Sequence, residues 1–149
     1  MILQTRQEVP DVKEQIRKLN LPVEKVNYFF GDQQERSRAR RALQERGDVI
    51  VSSSLDNNLE INAPGATKGE AILRLAGHLG LCREQTMGFG DGENDMTMIR
   101  TAGIGVAMGN AVEALKAEAD YVTVTNDEDG VADAIEKLVL NVEMESRHN

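Results

Sequence analysis

Acidic side chains and glycines are concentrated in one short stretch, Gly90-Asp91-Gly92-Glu93-Asn94-Asp95. Asp91 and Asp95 supply the hard oxygen atoms that Mg²⁺ takes as ligands. Gly90 and Gly92 would let the backbone turn sharply and approach a bound group closely. The stretch therefore predicts a site for a divalent cation and a phosphate group.

A simpler interpretation is that these carboxylates only cap the helix that follows, because acidic side chains are favoured at helix N-termini. Several like charges in one turn repel each other unless a cation neutralises them, and for that reason we favour the metal site.

Lys68 is the second candidate residue for the site. It opens a predicted helix, where the helix dipole opposes a positive charge, and this small penalty suggests an anionic partner. Taken alone, a lysine at a helix start is more often an ordinary surface residue, and that alternative stays open here.

The elements around these residues predict a parallel α/β sheet. The acidic stretch follows the short apolar segment 86–89, and ligands in open α/β sheets collect outside the carboxyl ends of strands. Further strands are predicted at 104–107 and 121–124, with helices at 94–101, 111–117 and 131–140. Alternation of this kind is typical of parallel strands joined by helical crossovers.

The helix that carries Lys68 has a clear start signal. Thr67 is a predicted N-cap with Glu70 three residues later, and Ile72, Leu75 and Leu79 form its predicted buried stripe.

The first sixty residues predict a different pattern: helix, strand, helix and two short strands. Val26, Tyr28 and Phe30 alternate with Lys25, Asn27 and Phe29, which predicts a half-buried strand. A polar helix then ends near Gly47. The basic residues of that helix, Arg36, Arg38, Arg40 and Arg41, are interpreted as a solvated face. Ala63-Pro64-Gly65 reads as a hinge to the second half.

Composition excludes several classes of partner. The chain has 149 residues, 40% hydrophobic content and a formal net charge of −8, which opposes nucleic acid and anionic membranes. No run approaches the length of a membrane span, and no signal-peptide pattern is seen, so we expect a cytoplasmic protein. The single cysteine, Cys82, is interpreted as a small packing residue.

The motifs follow one another in a recognisable order. They are Ala66-Thr67-Lys68-Gly69, Gly90-Asp91-Gly92-Glu93-Asn94-Asp95-Met96, Gly103-Ile104-Gly105-Val106-Ala107-Met108-Gly109-Asn110-Ala111, Ala119-Asp120-Tyr121-Val122 and Asp129-Gly130-Val131-Ala132. From about Leu59 to Asn141 the chain resembles the Cof-type branch of the haloacid dehalogenase-like (HAD) superfamily.

The resemblance implies Mg²⁺-dependent hydrolysis of small phosphorylated metabolites, such as sugar phosphates. Asp91 matches the metal-ligating aspartate of the family, and Asp95 matches the second acidic position, which usually holds the water shell of the metal. Lys68 matches the lysine that neutralises the nucleophile and the phosphoryl oxygens. Asn94 matches a hydrogen-bond donor on the phosphate side.

The resemblance also implies an architecture: part of an αβ cap over residues 1–62, the second half of a Rossmann-like core with three parallel strands over 63–142, and a polar tail over 143–149. In such enzymes the cap closes over the site and selects the substrate.

The nucleophilic aspartate and the general acid-base of the family lie in an Asp-x-Asp-Gly-Thr motif, which this sequence does not contain. We therefore expect the chain, as a truncated enzyme, to be catalytically incomplete alone. The absent strand would pair beside the strand ending at Phe89, so we also expect an open sheet edge and self-association or strand exchange.

Three alternatives remain open. Asp127, in Asp127-Glu128-Asp129-Gly130, superficially resembles a substitute nucleophile, although the family uses this segment to begin its final helix, with Asp129 as the cap. The chain could instead be a noncatalytic metal- and phosphate-binding module. The phosphorylation domain of a cation-pumping ATPase shares the Gly-Asp-Gly-x-Asn-Asp motif, but continues with Ala-Pro-Ala-Leu where this chain has Met96-Thr97-Met98-Ile99.

Overall fold

The computed structural model describes residues 8–20 and 22–140. The polar tail predicted for residues 143–149 lies outside them. The helices are α1 (Val12–Leu19), α2 (Gln33–Arg46), α3 (Lys68–His78), α4 (Met96–Thr101), α5 (Glu113–Lys116) and α6 (Gly130–Leu138). The strands are β1 (Lys25–Phe29), β2 (Ile50–Ser52), β3 (Asn58–Asn62), β4 (Met87–Gly90), β5 (Ile104–Ala107) and β6 (Tyr121–Val122).

The strands form two separate sheets. An antiparallel sheet in the order β1-β3-β2 belongs to what we term the first lobe, which contains α1 through β3. A parallel sheet in the order β4-β5-β6 belongs to the second lobe, which contains α3 through α6. The predicted fold class, with three parallel strands and a partial αβ lobe, is confirmed. The sheets lie on either side of residue 63, and the domain boundary itself stays a prediction.

The centre of the first lobe is β3, whose Leu59 and Asn58 are fully buried. The Asn58 amide oxygen accepts hydrogen bonds from the backbone N–H groups of Ser54 and Leu55, at 3.1 and 2.9 Å. These bonds hold the turn between β2 and β3, in a segment rich in Asp and Asn, which favour turns. The half-buried pattern predicted for β1 is wrong, because β1 is an edge strand whose residues are all exposed.

The interpretation of the arginine cluster as a solvated face is also wrong in part. Arg36 donates to the carbonyl oxygen of Asn58 at 3.0 Å and to Ser53 Oγ at 2.7 Å, which ties α2 to the turn between β2 and β3. Arg40 reaches the second lobe, as described below. Arg38 and Arg41 are exposed as predicted.

In the second lobe, α4 connects β4 to β5 and packs on both strands. A buried cluster of Ile99, Ala107, Met108, Ala111 and Leu115 lies beside the sheet. Gly90 pairs with Ala107 and marks the carboxyl end of β4. Each parallel strand therefore delivers the residues that follow it to the same edge of the sheet.

Helix α3 packs on α4 through its small residues. Gly69 and Ala76 are buried, whereas Leu75 and Leu79 are 58% and 61% exposed. The predicted buried stripe is therefore wrong: the apolar period identified a face of the helix, but α4 covers a different one. A Cβ atom at Gly69 would lie 2.5 Å from the carbonyl oxygen of Thr97, so only glycine permits this close approach.

Two smaller expectations also fail. Asp129 precedes α6 with a left-handed backbone, φ 57°, and its side chain makes no capping hydrogen bond. Cys82, expected to pack in the interior, is exposed. Within the residues that the structure describes, no helix has the length and apolar character needed to cross a bilayer.

Candidate active site

The acidic loop begins where β4 ends, and its last residue organises it. Asp95 is 4% exposed, and its Oδ2 atom accepts hydrogen bonds from the backbone N–H groups of Asp91 and Gly92, both at 3.1 Å. Its Oδ1 atom forms an ion pair with the Lys68 ammonium group. Asp95 therefore closes the loop back on itself and links it to α3.

Gly90 leaves room for this arrangement. A Cβ atom there would overlap the Cβ atom of Asp95, so a side chain at Gly90 would force the carboxylate out of the loop. Glycine at this position therefore permits the sharp turn and also leaves the space that Asp95 occupies.

Lys68 reaches the loop because of how α3 begins and packs. The Thr67 hydroxyl accepts the backbone N–H of Glu70 at 3.1 Å, which fixes the first turn as predicted. Gly69 then lies against α4, and its N–H donates to Thr97 Oγ1 at 3.2 Å. The Lys68 side chain is 48% exposed, so its ammonium group pairs with Asp95 while remaining open to an anion.

Asp91 lies on the solvent side of the loop. Asp91 is exposed, and Asn110 Nδ2 lies 3.5 Å from Asp91 Oδ2, which is a long contact for a hydrogen bond. Asn110 also accepts the backbone N–H of Asn126 at 3.0 Å. Asn110 thus joins the loops that follow β4, β5 and β6. Sequence reasoning did not assign it a role, although its position just after a predicted strand was a usable signal.

Asn94 faces a cavity of about 770 Å³ that lies between the lobes. Lys68 and Asn94 line it from the second lobe, and Lys25, Ser52 and Glu60 line it from the first. The structure therefore brings the two predicted phosphate-side residues to one cavity, whereas the Asp91 side chain turns toward Asn110.

Glu60 is a buried carboxylate on the first-lobe wall of this cavity, 6% exposed. It accepts hydrogen bonds from Lys25 Nζ at 2.7 Å and from Ser54 Oγ at 2.6 Å. Burial alone would raise the pKa of Glu60, but hydrogen bonds from Lys25, Ser54 and Asn94 and the Lys25 charge together lower it. Glu60 is therefore an anion at neutral pH, and sequence reasoning did not identify it.

A second contact joins the lobes at the loop. The Arg40 guanidinium group forms an ion pair with Glu93, using Nη1 and Nη2 on the two carboxylate oxygens, the former at 3.1 Å. Burial, and then the charge of Arg36, lowers the pKa of Arg40. Nothing in the polar, regular pattern of α2 distinguishes Arg40 from its exposed neighbours.

The donor set fits Mg²⁺ better than a metal that needs a protein cage. No group of three or more His, Cys, Asp or Glu side chains in residues 8–20 and 22–140 could enclose an ion. Mg²⁺ usually keeps several waters and takes one or two carboxylates together with phosphate oxygens. Asp91 offers such a carboxylate, since within residues 8–20 and 22–140 the only hydrogen bond of that carboxylate is the long contact with Asn110.

Asp127 lies in the short 3₁₀ helix Asn126–Glu128, after β6. It is exposed and accepts a hydrogen bond from Asn126 Nδ2 at 3.0 Å. Asn126 in turn contacts Asn110, so the segment reaches the same edge of the sheet as Asp91. Its role as a nucleophile stays an untested alternative.

Comparison with known proteins shows the family of the chain. The model of the haloacid dehalogenase-like hydrolases matches residues 1–135. The 5-amino-6-(5-phospho-D-ribitylamino)uracil phosphatase YcsE of Bacillus subtilis is 40% identical over 116 residues, which are 78% of this chain and 47% of that protein.

Comparison with solved structures gives the same family. A haloacid dehalogenase-like hydrolase from B. subtilis superposes with a TM-score of 0.81 at 34% identity, covering 88% of this chain and 46% of the other. The HAD subclass IIB sugar phosphatase BT4131 gives a TM-score of 0.71 at 36% identity, covering 79% and 44%. This chain spans about half the length of these relatives.

Proposed function

The chain belongs to the haloacid dehalogenase-like hydrolase family, and we propose that it forms the metal- and phosphate-binding part of a phosphatase acting on small phosphorylated metabolites. The observation that supports this most is the link between α3 and the acidic loop, in which Asp95 joins Lys68 to the backbone of Asp91 and Gly92. The sequence alone points to Lys68, Asp91 and Asp95 as candidates for binding a metal ion and phosphate.

The four predicted site residues have different proposed roles. Asp91 would hold Mg²⁺, which supplies positive charge against the phosphate oxygens. Lys68 would neutralise further negative charge on the phosphoryl group, and Asn94 would donate a hydrogen bond to it. Asp95 holds Lys68 and the loop in place; a direct role for it at the metal stays a prediction.

The substrate would enter the cavity between the lobes. Its volume of about 770 Å³ suits a small metabolite, and polar side chains line its first-lobe wall. Relatives include a sugar phosphatase and a phosphatase named for a ribitylaminouracil phosphate, so we propose sugar-like phosphates as the substrate class. The cytoplasmic location expected from the sequence stays a prediction.

Activity of the isolated 149-residue chain tests the catalytic half of the proposal. Because the sequence contains no Asp-x-Asp-Gly-Thr motif, hydrolysis of a generic aryl phosphate with Mg²⁺ should be undetectable. Hydrolysis that Asp91→Ala abolishes would overturn the proposed incompleteness and support the site. If Asp127→Asn also abolished it, Asp127 would be the nucleophile.

A second candidate, a noncatalytic binding module, is supported by the acidic loop, where Asp95 already pairs with Lys68 and the Asp91 carboxylate faces solvent. Calorimetric titration with Mg²⁺, with and without inorganic phosphate, tests it. Binding that depends on Asp91 and is strengthened by phosphate would support a working module. A chain that binds neither would be an inert part of an enzyme.

A further inference from the structure

The acidic loop contains three carboxylates, and two of them already have cationic partners. Asp95 pairs with Lys68, from the same lobe, and Glu93 pairs with Arg40, from the other lobe. Among the described residues, the Asp91 carboxylate has only the long contact with Asn110. The loop therefore presents one carboxylate that is free for a cation, although its sequence offers three.

Arg40 is placed more specifically than a surface arginine. Its side chain is 24% exposed, and two of its nitrogen atoms meet the two oxygen atoms of one carboxylate. A planar guanidinium group in this arrangement fixes direction as well as distance. Arg36, one turn earlier in α2, is committed to Asn58 and Ser53, so α2 is anchored on its own lobe while Arg40 extends to the other.

We propose that Arg40 is a positioning residue for the acidic loop. Its ion pair with Glu93 docks the first lobe on this loop and keeps the Glu93 carboxylate away from the metal. The docking part concerns the two lobes alone. The metal part rests on the proposed function, because it assumes that Asp91 binds a divalent cation.

The distance between the lobes tests the docking part without any cation. Spin labels on the exposed native Cys82 and on Glu45→Cys, exposed on α2, report the distance by pulsed electron resonance. The labelled protein with Arg40 and Glu93 intact should give one narrow distribution of distances between the two labels. Arg40→Gln and Glu93→Gln should each broaden it, and the exchange Arg40→Glu with Glu93→Arg should narrow it again.

Unchanged distributions in both single variants would overturn the proposal. So would broadening that the exchange does not reverse, because the pair would then not be its cause. Circular dichroism of each variant separates a mobile lobe from an unfolded one. If a single variant unfolds, the exchange must restore the fold for the proposal to stand.

Cation preference tests the metal part. Ca²⁺ takes six to eight oxygen ligands, and Mg²⁺ takes fewer protein carboxylates, so a released Glu93 should raise the affinity for Ca²⁺ relative to Mg²⁺ by roughly threefold or more in Arg40→Gln. The double variant Arg40→Gln/Glu93→Gln has no carboxylate to release and should return to the parent ratio.

A purely structural role for Arg40 would give the same ratio in the single and double variants, and that result, or an unchanged ratio in Arg40→Gln, would overturn the metal part. Failure of the proposed function looks different: the parent chain would bind neither cation. The spin-label distances would still decide whether Arg40 docks the lobes.

Discussion

Asp95 is the residue on which the local geometry of the site depends. Its carboxylate is buried, and it accepts two backbone N–H groups and one ammonium group. A buried carboxylate is stable only with such partners, because burial of an unpaired charge is costly. The loop conformation and the position of Lys68 are therefore consequences of one side chain.

Replacement of Lys68 should expose this dependence. In Lys68→Met the Asp95 carboxylate keeps its two backbone N–H donors but loses its cation, and the free energy of unfolding should fall by about 1–3 kcal/mol, as when a buried polar group loses a partner. Urea denaturation at neutral pH measures the change.

Lys18→Met provides a matched control, because Lys18 and Glu14 form an ion pair whose side chains are 66% and 60% exposed. Exposed pairs of this kind contribute little, so the control should change the free energy of unfolding by less than about 0.5 kcal/mol. An equally small effect of Lys68→Met would show that Asp95 does not need its partner.

Residue types and motif order selected Lys68, Asp91, Asn94 and Asp95 as candidates, because groups that bind phosphate and Mg²⁺ come from a small chemical set. The same reasoning missed Arg40 and Glu60. Each is an ordinary charged residue in its own element, and its partner lies in a distant part of the sequence. Only the packing of the two lobes makes these side chains part of the site.

At the scale of elements, the contact between α3 and α4 determines where Lys68 points. Gly69 lies against the backbone of α4, with Thr97 O at 2.5 Å and Thr101 Oγ1 at 2.8 Å from the position of an added Cβ atom. Gly69→Ala should force the helices apart and lower the free energy of unfolding by about 1–3 kcal/mol. Thermal or urea unfolding checks this value.

Gly77→Ala is the matched control on the same helix. An added Cβ atom there meets nothing within 4 Å, so the better helix propensity of alanine should raise the free energy of unfolding by up to about 1 kcal/mol. If Gly69→Ala were as well tolerated as Gly77→Ala, the close approach of α3 to α4 would not position Lys68.

Element order was predictable because strands and helices differ in apolar period and in their flanking residues. The prediction for β5 agrees with the observed Ile104–Ala107, and Thr67 and Gly47 mark helix ends as expected. The prediction of burial failed for α3 and β1. Periodicity shows that a face is apolar, but the neighbouring elements decide whether that face is covered.

At the scale of the whole molecule, β4 pairs on one side only within residues 8–20 and 22–140, and α3 carries exposed leucines near it in sequence. Such edges and apolar surfaces favour pairing with another chain. We predict concentration-dependent self-association of the 149-residue chain in sedimentation velocity experiments, weakened by Leu75→Lys/Leu79→Lys. A monomer at every concentration would contradict this.

The two lobes meet at the acidic loop, so a cation bound there would lie beside the cavity that both lobes line. The proposed function depends on this location of the cation. Mn²⁺, a paramagnetic substitute that accepts the same oxygen ligands, reports it directly through the broadening of nearby amide signals in nuclear magnetic resonance spectra.

Substoichiometric Mn²⁺ should first broaden the amide signals of residues 90–95, with those of Asn110 and Lys68 next, and excess Mg²⁺ should restore them. In Asp91→Asn the same additions should leave these signals sharp. Broadening centred on another part of the chain, or equal broadening in the parent and in Asp91→Asn, would contradict the central claim that the loop after β4 binds the metal.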